Sequence, residues 1–161
     1  MHVEENGNTY AENAAKKALE YAKAGGMLAI ADDTGLEVDA LGGAPGLYSA
    51  RFIPKKDASD RDRRKYLLNK LASHHRPWLA RFRSVVAIAD PQGHVRFTEG
   101  ICTGEIIPEE RGAQGFGYDP IFFIPSLGKT MAELSLDQKN QISHRAKAIS
   151  AACTILLALL S

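Results

Sequence analysis

Residues 27–46 read MLAIADDTGLEVDALGGAPG. An apolar run over residues 27–31 stops at the adjacent aspartates Asp32 and Asp33, and a loop rich in glycine follows. The run is short and is bounded by turn-forming residues, so it predicts a buried strand. We therefore expect Asp32 and Asp33 at the carboxyl-terminal end of a strand.

The segment before this strand has the pattern of a helix. Thr9 is followed three residues later by Glu12, as in a capping box, and an alanine-rich body ends at Gly25 and Gly26. The strand is thus expected to follow a helix directly.

Helical and strand patterns alternate along the rest of the chain. Ser59 precedes a second amphipathic helix, whose RDRRK run at residues 61–65 is expected to be a solvated face. Two strands are predicted over residues 79–107 around the turn 90–93, IFFIP is another strand, and helical sequence begins near Ser135. The fold class is therefore α/β with a mixed sheet, in one domain covering residues 1–161.

Composition excludes several classes of protein. The chain has 161 residues, 45% hydrophobic and 24% charged, with a formal net charge of +1. These values are those of a globular domain, and they give no electrostatic drive toward nucleic acid or an anionic membrane. The apolar stretch 149–160 is too short to span a bilayer, and Cys102 and Cys153 have no metal-ligand or CxxC spacing. We expect a cytoplasmic protein.

The aspartate pair is a candidate metal site. Ligands of open α/β sheets bind beyond the carboxyl ends of strands, and Mg²⁺ takes one or two carboxylates plus substrate phosphates. Alternation along a strand directs one aspartate to the site and the other to a supporting contact. Locally, two turn-forming aspartates before a loop are an alternative explanation.

Charged residues near the first helix are candidate partners of that site. Glu4 and Glu5 are possible second metal carboxylates, although exposed N-terminal acids are commonly only solubilising. Lys16 and Lys17 point about 100° apart on a helix, so at most one of them faces a phosphate group.

Two further motifs have the composition of ligand-binding segments. GFGYDP, residues 115–120, combines glycines with aromatic rings that stack on a flat base, although a tight loop before a strand has the same composition. SHRAKA, residues 143–148, puts His144 and Arg145 in the first turn of a helix, where cations are disfavoured unless they have a role. The segment GFGYDP does not form the GxGxxG pattern. The segment LGKT, residues 127–130, is not part of a P-loop, because Phe123 stands where that motif needs glycine.

Together with VEENGNTYAENAAKKA, the segments AIADDTGLEVDALGGAPGLYSARF, GFGYDPIFFIP and ISHRAKA closely resemble the inosine triphosphate pyrophosphatase family. The resemblance runs from about Val3 to the C-terminal helix. It implies an elongated mixed β-sheet flanked by helices, a homodimer, and Mg²⁺-dependent hydrolysis of ITP, dITP and XTP to the monophosphate and pyrophosphate. Nucleic acid and membrane partners are not expected.

The resemblance also implies roles for particular residues. Asp33 would be the catalytic base and a metal ligand, with Glu4 as the second metal carboxylate. The substrate would be bound by the residues Lys17, Thr34, Phe116, Gly117, Tyr118, Asp119, Lys139, His144 and Arg145. Among these, Lys17 and Thr34 would contact phosphates, and the others would form the base pocket.

One family feature is not found in this sequence. The family's N-terminal strand and its TGNxxK loop, which supply triphosphate contacts, have no counterpart here, so the fold is expected to lack the first strand and helix and catalysis to be weakened. Two alternatives follow. The chain could bind purine nucleotides or a protein partner without catalysis, or act as a nucleic-acid or interaction module, which its near-neutral charge disfavours.

Overall fold

The computed structural model describes residues 3–54 and 56–160. These residues form four α-helices and six β-strands, with short 3₁₀ turns between them. The helices are α1 (Tyr10–Gly25), α2 (Asp60–Leu71), α3 (Leu136–Ile142) and α4 (His144–Leu160). The strands are β1 (Ala29–Val38), β2 (Pro45–Gly46), β3 (Trp78–Ala89), β4 (Val95–Ile106), β5 (Phe122–Ile124) and β6 (Lys129–Thr130).

The described strands form one six-stranded sheet in the order β2-β1-β3-β4-β5-β6. The pairs β1 with β2, β4 with β5, and β5 with β6 are antiparallel, and Leu36 is opposite Gly46 in the first of them. The expected α/β class, with a sheet flanked by helices, is confirmed. The expectation of a mixed sheet was wrong, because the described strands pair antiparallel.

The predicted end of the first strand was wrong. Strand β1 continues to Val38, so Asp32 and Asp33 lie in its middle and not at its carboxyl-terminal end. The strand continues because Leu36 and Val38 are fully buried on alternate positions and because Val38 N donates to the Ala44 carbonyl at 3.2 Å. Period-two burial resumes after the two aspartates, a pattern that the charges obscured in the sequence.

The other predicted elements are present. Thr9 caps α1 by accepting a hydrogen bond from Glu12 N, and Gly26 ends the helix in a left-handed conformation with φ 63°. Ser59 and Asp62 form a capping box at the start of α2. The hairpin of β3 and β4, the strand β5 and the C-terminal helices also agree with the sequence pattern.

The chain divides into two compact units. Unit 1 comprises the described residues within Met1–Thr34, Arg83–Ile101 and Ser143–Ser161. Its sheet segment has a helix on each face, because neighbouring residues of β3 alternate. Ala87 and Ala89 pack in one apolar cluster with the α1 alanines, whereas Val86 and Ile88 pack in another with Ala148 and Ala152 of α4.

Unit 2 comprises Gly35–Phe82 and Cys102–Ile142. Its core is larger and contains aromatic residues, among which Phe82 and Phe122 have ring centroids 4.5 Å apart. Leu67 and Leu71, the apolar stripe of α2, are fully buried in this core. The core therefore fixes the orientation of α2 within the unit.

Among the described residues, no single helix has the length and apolar composition of a membrane span. The bent pair of α3 and α4 meets these two criteria only when both helices are counted together.

Close packing of α4 on β4 in unit 1 leads to a stability prediction. A Cβ atom added to Gly100 would lie 2.0 Å from the His144 carbonyl oxygen and 2.7 Å from Ala148 N. Because backbone atoms cannot move aside easily, we expect Gly100→Ala to lower the free energy of unfolding by about 1–3 kcal/mol, as overpacked sites do. Thermal and denaturant unfolding measure the change.

The matched control for this substitution is Gly25→Ala. A Cβ there would meet only Met27 Cγ at 3.5 Å, an ordinary contact, and alanine is the better helix former. Equal stability of the Gly100→Ala variant and the unsubstituted protein would contradict the packing described here.

Candidate functional site

Asp33 is a half-buried carboxylate of β1 that is held by hydrogen bonds. Its Oδ2 accepts a hydrogen bond from Asn13 Nδ2 at 3.0 Å, and its Oδ1 accepts one from Thr34 N at 3.1 Å. Burial raises the pKa of Asp33, outweighing the Asn13 hydrogen bond and the Lys17 charge, which lower it. The nearby Glu5 charge raises this pKa further. The result is a fixed carboxylate that is more basic than an ordinary aspartate.

Lys17 is the cation on the α1 side of this carboxylate. Its ammonium donates to the Asp32 carbonyl at 2.6 Å and to the Glu5 carboxylate at 2.5 Å. Lys16, its neighbour, instead donates to Asn6 Oδ1 at 2.9 Å in an exposed position. The structure therefore separates the two lysines, and Lys17 is the one whose charge acts on Asp33.

Asp32 has a different set of partners. Its Oδ2 accepts from Arg145 Nε at 3.0 Å and from Thr34 Oγ1 at 3.1 Å. The Thr34 hydroxyl also lies 3.1 Å from Ser84 Oγ on β3. Asp32 and Thr34 share one face of β1, because they are two residues apart. The Asp33 side chain points to the opposite face, where it contacts Asn13 of α1.

The two adjacent charges are thus each balanced locally. Arg145 of α4 pairs with Asp32, and Lys17 of α1 lowers the pKa of Asp33 through its charge. Opposite charges at this range stabilise the ionised carboxylates against their mutual repulsion. The arrangement makes Asp32 the supporting aspartate and leaves Asp33 with Asn13 and Lys17.

The start of α4 brings His144 and Arg145 into unit 1. Ser143 Oγ accepts from Ala146 N at 3.2 Å, which is the serine cap that the sequence predicted. His144 is buried, whereas Arg145 remains partly exposed while it pairs with Asp32. Arg145, a cation in the first turn of a helix where positive charge is disfavoured, is therefore paired with the Asp32 carboxylate of β1.

The N-terminal acids differ in their surroundings. Glu5 is held by Lys17, whereas Glu4 is exposed and takes part in no hydrogen bond or ion pair among the described residues. No group of three or more histidine, cysteine, aspartate or glutamate side chains with metal-site geometry occurs in residues 3–54 and 56–160.

A second cluster of predicted site residues lies in unit 2, around the loop 115–119. Asp119 is buried, and its Oδ2 accepts from Lys139 Nζ at 2.6 Å and from Phe116 N at 3.2 Å. The Phe116 ring is 63% exposed, and Lys139 Nζ lies 5.3 Å from its centroid. The loop therefore presents an aromatic face next to a fixed ammonium.

Gly115 is required for this geometry. Its φ is +84°, and a Cβ atom there would lie 2.1 Å from Asp119 Oδ2 and 3.0 Å from Lys139 Nζ. Only glycine combines this backbone conformation with the close approach of the ion pair.

Tyr118 is a buried residue of the core of unit 2, in contrast to Phe116. Its hydroxyl donates to the Ser49 carbonyl at 2.8 Å, and burial strongly raises its pKa. Phe116 is therefore the exposed aromatic side chain of this loop, and Tyr118 anchors it.

Several contributors to the two clusters lie outside the residues that the sequence pattern indicated. The run 61–65 was expected to be a solvated face, but Arg64 is only 11% exposed and donates to the Gly117 carbonyl at 2.7 Å. The prediction was wrong for Arg64 because its partners are distant in sequence. Asn13 could have been found, since it lies one helical turn before Lys17 on the same face of α1.

The sequence pattern of the Ham1 family matches residues 1–155. A curated relative from Desulforamulus reducens, named dITP/XTP pyrophosphatase, is 53% identical over 156 residues, which cover 96% of this chain and 77% of the relative.

Two solved structures are also similar to this chain. The Staphylococcus aureus Ham1 protein has 45% identity and a TM-score of 0.90, and the alignment covers 98% of this chain and 81% of that one. A HAM1 protein from Coxiella burnetii has 41% identity and a TM-score of 0.92 with the same coverages. The sequence match over nearly the whole length, together with these two structures, shows that the chain belongs to the Ham1 family.

Proposed function

We propose that this chain hydrolyses the non-canonical purine nucleoside triphosphates dITP, XTP and ITP to the nucleoside monophosphate and pyrophosphate, which removes them from the nucleotide pool. The name of the Desulforamulus reducens relative, dITP/XTP pyrophosphatase, supports this substrate class. The observation that carries the proposal is the half-buried Asp33, with its raised pKa, fixed by Asn13 and acted on by the Lys17 charge.

Asp33 is the proposed general base. A water molecule attacks the α-phosphorus, its proton passes to the Asp33 carboxylate, and the bond between the α-phosphorus and the bridging oxygen breaks to release pyrophosphate. A base works best when its pKa approaches the working pH, and burial moves the pKa of Asp33 in that direction. Hydrogen bonds from Asn13 and Thr34 N fix the carboxylate orientation.

Mg²⁺ is the proposed metal, and Asp33 and Glu4 are its proposed protein ligands. The donor set fits, because Mg²⁺ is commonly held by one or two carboxylates together with substrate phosphates and water. Glu4 is exposed and has no partner among the described residues, whereas Glu5 is held by Lys17. When bound, such an ion neutralises negative charge that develops on phosphate oxygens.

Lys17 and Thr34 are the proposed phosphate contacts. The two hydrogen bonds of the Lys17 ammonium use two of its three donors, which leaves one for a phosphate oxygen. Because Glu5 and the Asp32 carbonyl already fix the ammonium, little side-chain entropy is lost when phosphate binds. The Thr34 hydroxyl is oriented by Asp32 and Ser84.

The base is proposed to bind residues of unit 2, namely Phe116, Gly117, Tyr118, Asp119 and Lys139, whereas His144 and Arg145 of unit 1 stay predicted substrate contacts. The exposed Phe116 ring offers a face for stacking, which any purine satisfies. Selectivity then comes from donors such as Lys139 directed to the 6-oxo group. A 6-amino group cannot accept those hydrogen bonds, so adenine nucleotides leave the donors unsatisfied.

Three other features stay predictions. They are a homodimeric assembly, a cytoplasmic location, and a single domain over residues 1–161.

The first test measures pyrophosphate release from dITP, XTP and ITP, with dATP, which has a 6-amino group, as the control, in the presence and absence of Mg²⁺. We expect metal-dependent release that favours the 6-oxo purines dITP and XTP over dATP by at least about tenfold in kcat/KM. The variant Asp33→Asn should lose at least about 100-fold in kcat, since it cannot accept the proton.

The matched control is Asp39→Asn, which changes an exposed aspartate in the same region of sequence and should retain activity. If the folded, unsubstituted protein binds dITP without hydrolysing it, the proposed enzymatic function is wrong and a nucleotide-binding function is indicated. Equal rates for dITP and dATP would contradict the proposed substrate class.

The raised pKa of Asp33 also predicts a stability effect in metal-free buffer. A carboxyl group with a higher pKa in the folded state binds its proton more tightly there, so its contribution to stability falls as pH rises from the unfolded pKa, 3.8, through the folded pKa. Asp33→Asn should therefore raise the melting temperature at pH 7. This advantage should shrink as the pH is lowered toward 4.

Thermal unfolding with EDTA at a series of pH values makes this measurement. A melting temperature that falls on substitution at pH 7 would show that the Asn13 hydrogen bond and the Lys17 charge outweigh the cost of burial.

Lys139→Met tests base recognition. The change removes a donor proposed to act on the 6-oxo group, so the ratio of kcat/KM for dITP to that for dATP should fall about tenfold. Because the buried Asp119 also loses its ammonium partner, melting temperatures are measured in parallel, and Lys139→Arg keeps the charge. Lys129→Met, at an exposed position, is the control. An unchanged ratio in folded Lys139→Met would contradict this role.

A further inference from the structure

The loop that carries Phe116 is gripped at Gly117 by two side chains of α2. Asp60 Oδ2 accepts from Gly117 N at 2.8 Å, and Arg64 NH1 donates to the Gly117 carbonyl at 2.7 Å. Both the donor and the acceptor of one backbone residue are thus held by side chains. We call Asp60, Arg64 and Gly117 the Gly117 clamp.

Further contacts hold the two clamp side chains in place. Arg64 forms a bidentate salt bridge with Glu110, in which Nε lies 3.0 Å from Oε1 and NH2 lies 3.1 Å from Oε2. Arg63 NH2 donates to Asp60 Oδ1 at 2.6 Å. Each clamp residue therefore uses one group for Gly117 while another residue fixes its remaining atoms, an arrangement that favours a single rotamer.

The clamp acts on a glycine, a residue whose backbone has many accessible conformations. Gly117 has φ +61°, and a Cβ atom there would meet nothing within 4 Å. Free space around the residue means that packing does not determine its conformation. Its two hydrogen bonds to α2 supply the constraint.

The neighbour of Gly117 is the exposed Phe116, whose backbone amide bonds the buried Asp119. A large aromatic side chain that is 63% exposed is packed over only part of its surface. The position of this ring therefore depends on how firmly the backbone of residues 116 and 117 is held.

We infer that Asp60 and Arg64 are positioning residues of base recognition: they hold Gly117 by both of its backbone polar groups, so that Phe116 is preorganised to stack on the purine. The inference rests on the proposed function, because it assigns the base to this loop. Preorganisation reduces the ordering cost of binding, so loss of the clamp weakens binding of the base more than it slows the chemical step.

The test uses variants graded by the contacts that they keep. Asp60→Ala removes the acceptor of the Gly117 N–H, whereas Asp60→Asn retains an oxygen acceptor. Arg64→Met keeps the apolar stem and removes the donors, whereas Arg64→Lys keeps one cationic donor. Arg61→Gln removes an equal charge from an exposed position of the same helix and is the control.

Two measurements are made on each variant. Calorimetry with dIMP gives the dissociation constant without any need for turnover, and steady-state kinetics with dITP gives kcat and KM. We expect Asp60→Ala and Arg64→Met to raise the dissociation constant and KM about tenfold, the scale of a lost hydrogen bond to a charged group, with kcat changed less than about threefold. The conservative variants should lie between these and the unsubstituted protein.

Hydrogen exchange gives an independent readout of the clamp. The Gly117 amide should exchange faster in Asp60→Ala than in the unsubstituted protein, while the melting temperature changes little. If either truncation variant fails to fold, Asp60→Asn and Arg64→Lys carry the comparison. A purely stabilising role would lower the melting temperature and leave the dIMP dissociation constant of the folded variants unchanged.

The outcomes separate this inference from the proposed function. Unchanged dIMP binding in the folded variants, beside normal hydrolysis by the unsubstituted protein, overturns the inference alone. Binding of dIMP without hydrolysis of dITP overturns the proposed hydrolysis. The dIMP dissociation constants of the clamp variants then decide the inference. Absence of dIMP binding to the unsubstituted protein overturns the inference and the base assignment together.

Discussion

The placement of two adjacent carboxylates on one strand constrains unit 1 more than any other feature. Asp32 and Asp33 occupy consecutive positions of β1, so their side chains point to opposite faces of the strand and contact different helices. Arg145 of α4 pairs with Asp32, and Asn13 of α1 bonds Asp33. The strand is therefore tied by polar contacts to the same two helices that pack on β3 through apolar residues.

Asp32 and Asp33 therefore have different partners and different roles in unit 1. Asp32 orients Arg145 and Thr34 with one carboxylate oxygen, and its carbonyl holds Lys17. Asp33 keeps a half-buried carboxylate whose pKa is raised by burial despite a nearby ammonium. The proposed role of Asp33 as a base requires both fixed geometry and a raised pKa, and hydrogen bonds from Asn13 and Thr34 N fix its carboxylate.

In unit 2, a buried ion pair fixes the conformation of the loop 115–119, which is rich in glycine. Asp119 is buried and is satisfied by Lys139 and by the Phe116 amide, so the ion pair and the loop backbone form one network. Gly115 is needed because any side chain would overlap that network. Buried polar groups are costly unless they are fully hydrogen-bonded, and this cost favours one loop conformation over its alternatives.

Local pattern was sufficient for most of the elements. The Thr9 and Ser59 caps, the turn at residues 90–93 and the start of α4 depend on contacts within a few residues, which a sequence displays directly. The end of β1 could not be predicted in this way. Two charges interrupt the apolar alternation, and the burial of Leu36 and Val38 depends on distant residues of the core.

The sequence by itself determined which chemical groups are present and, through local capping and alternation, most of the helices and strands. It also determined that Asp32 and Asp33 face apart, because a strand has a period of two. Only the tertiary structure decided which aspartate pairs with Arg145, which lysine acts on Asp33, and that Arg64 of an apparently solvated run grips Gly117. These contacts join residues far apart in the chain, so no local pattern encodes them.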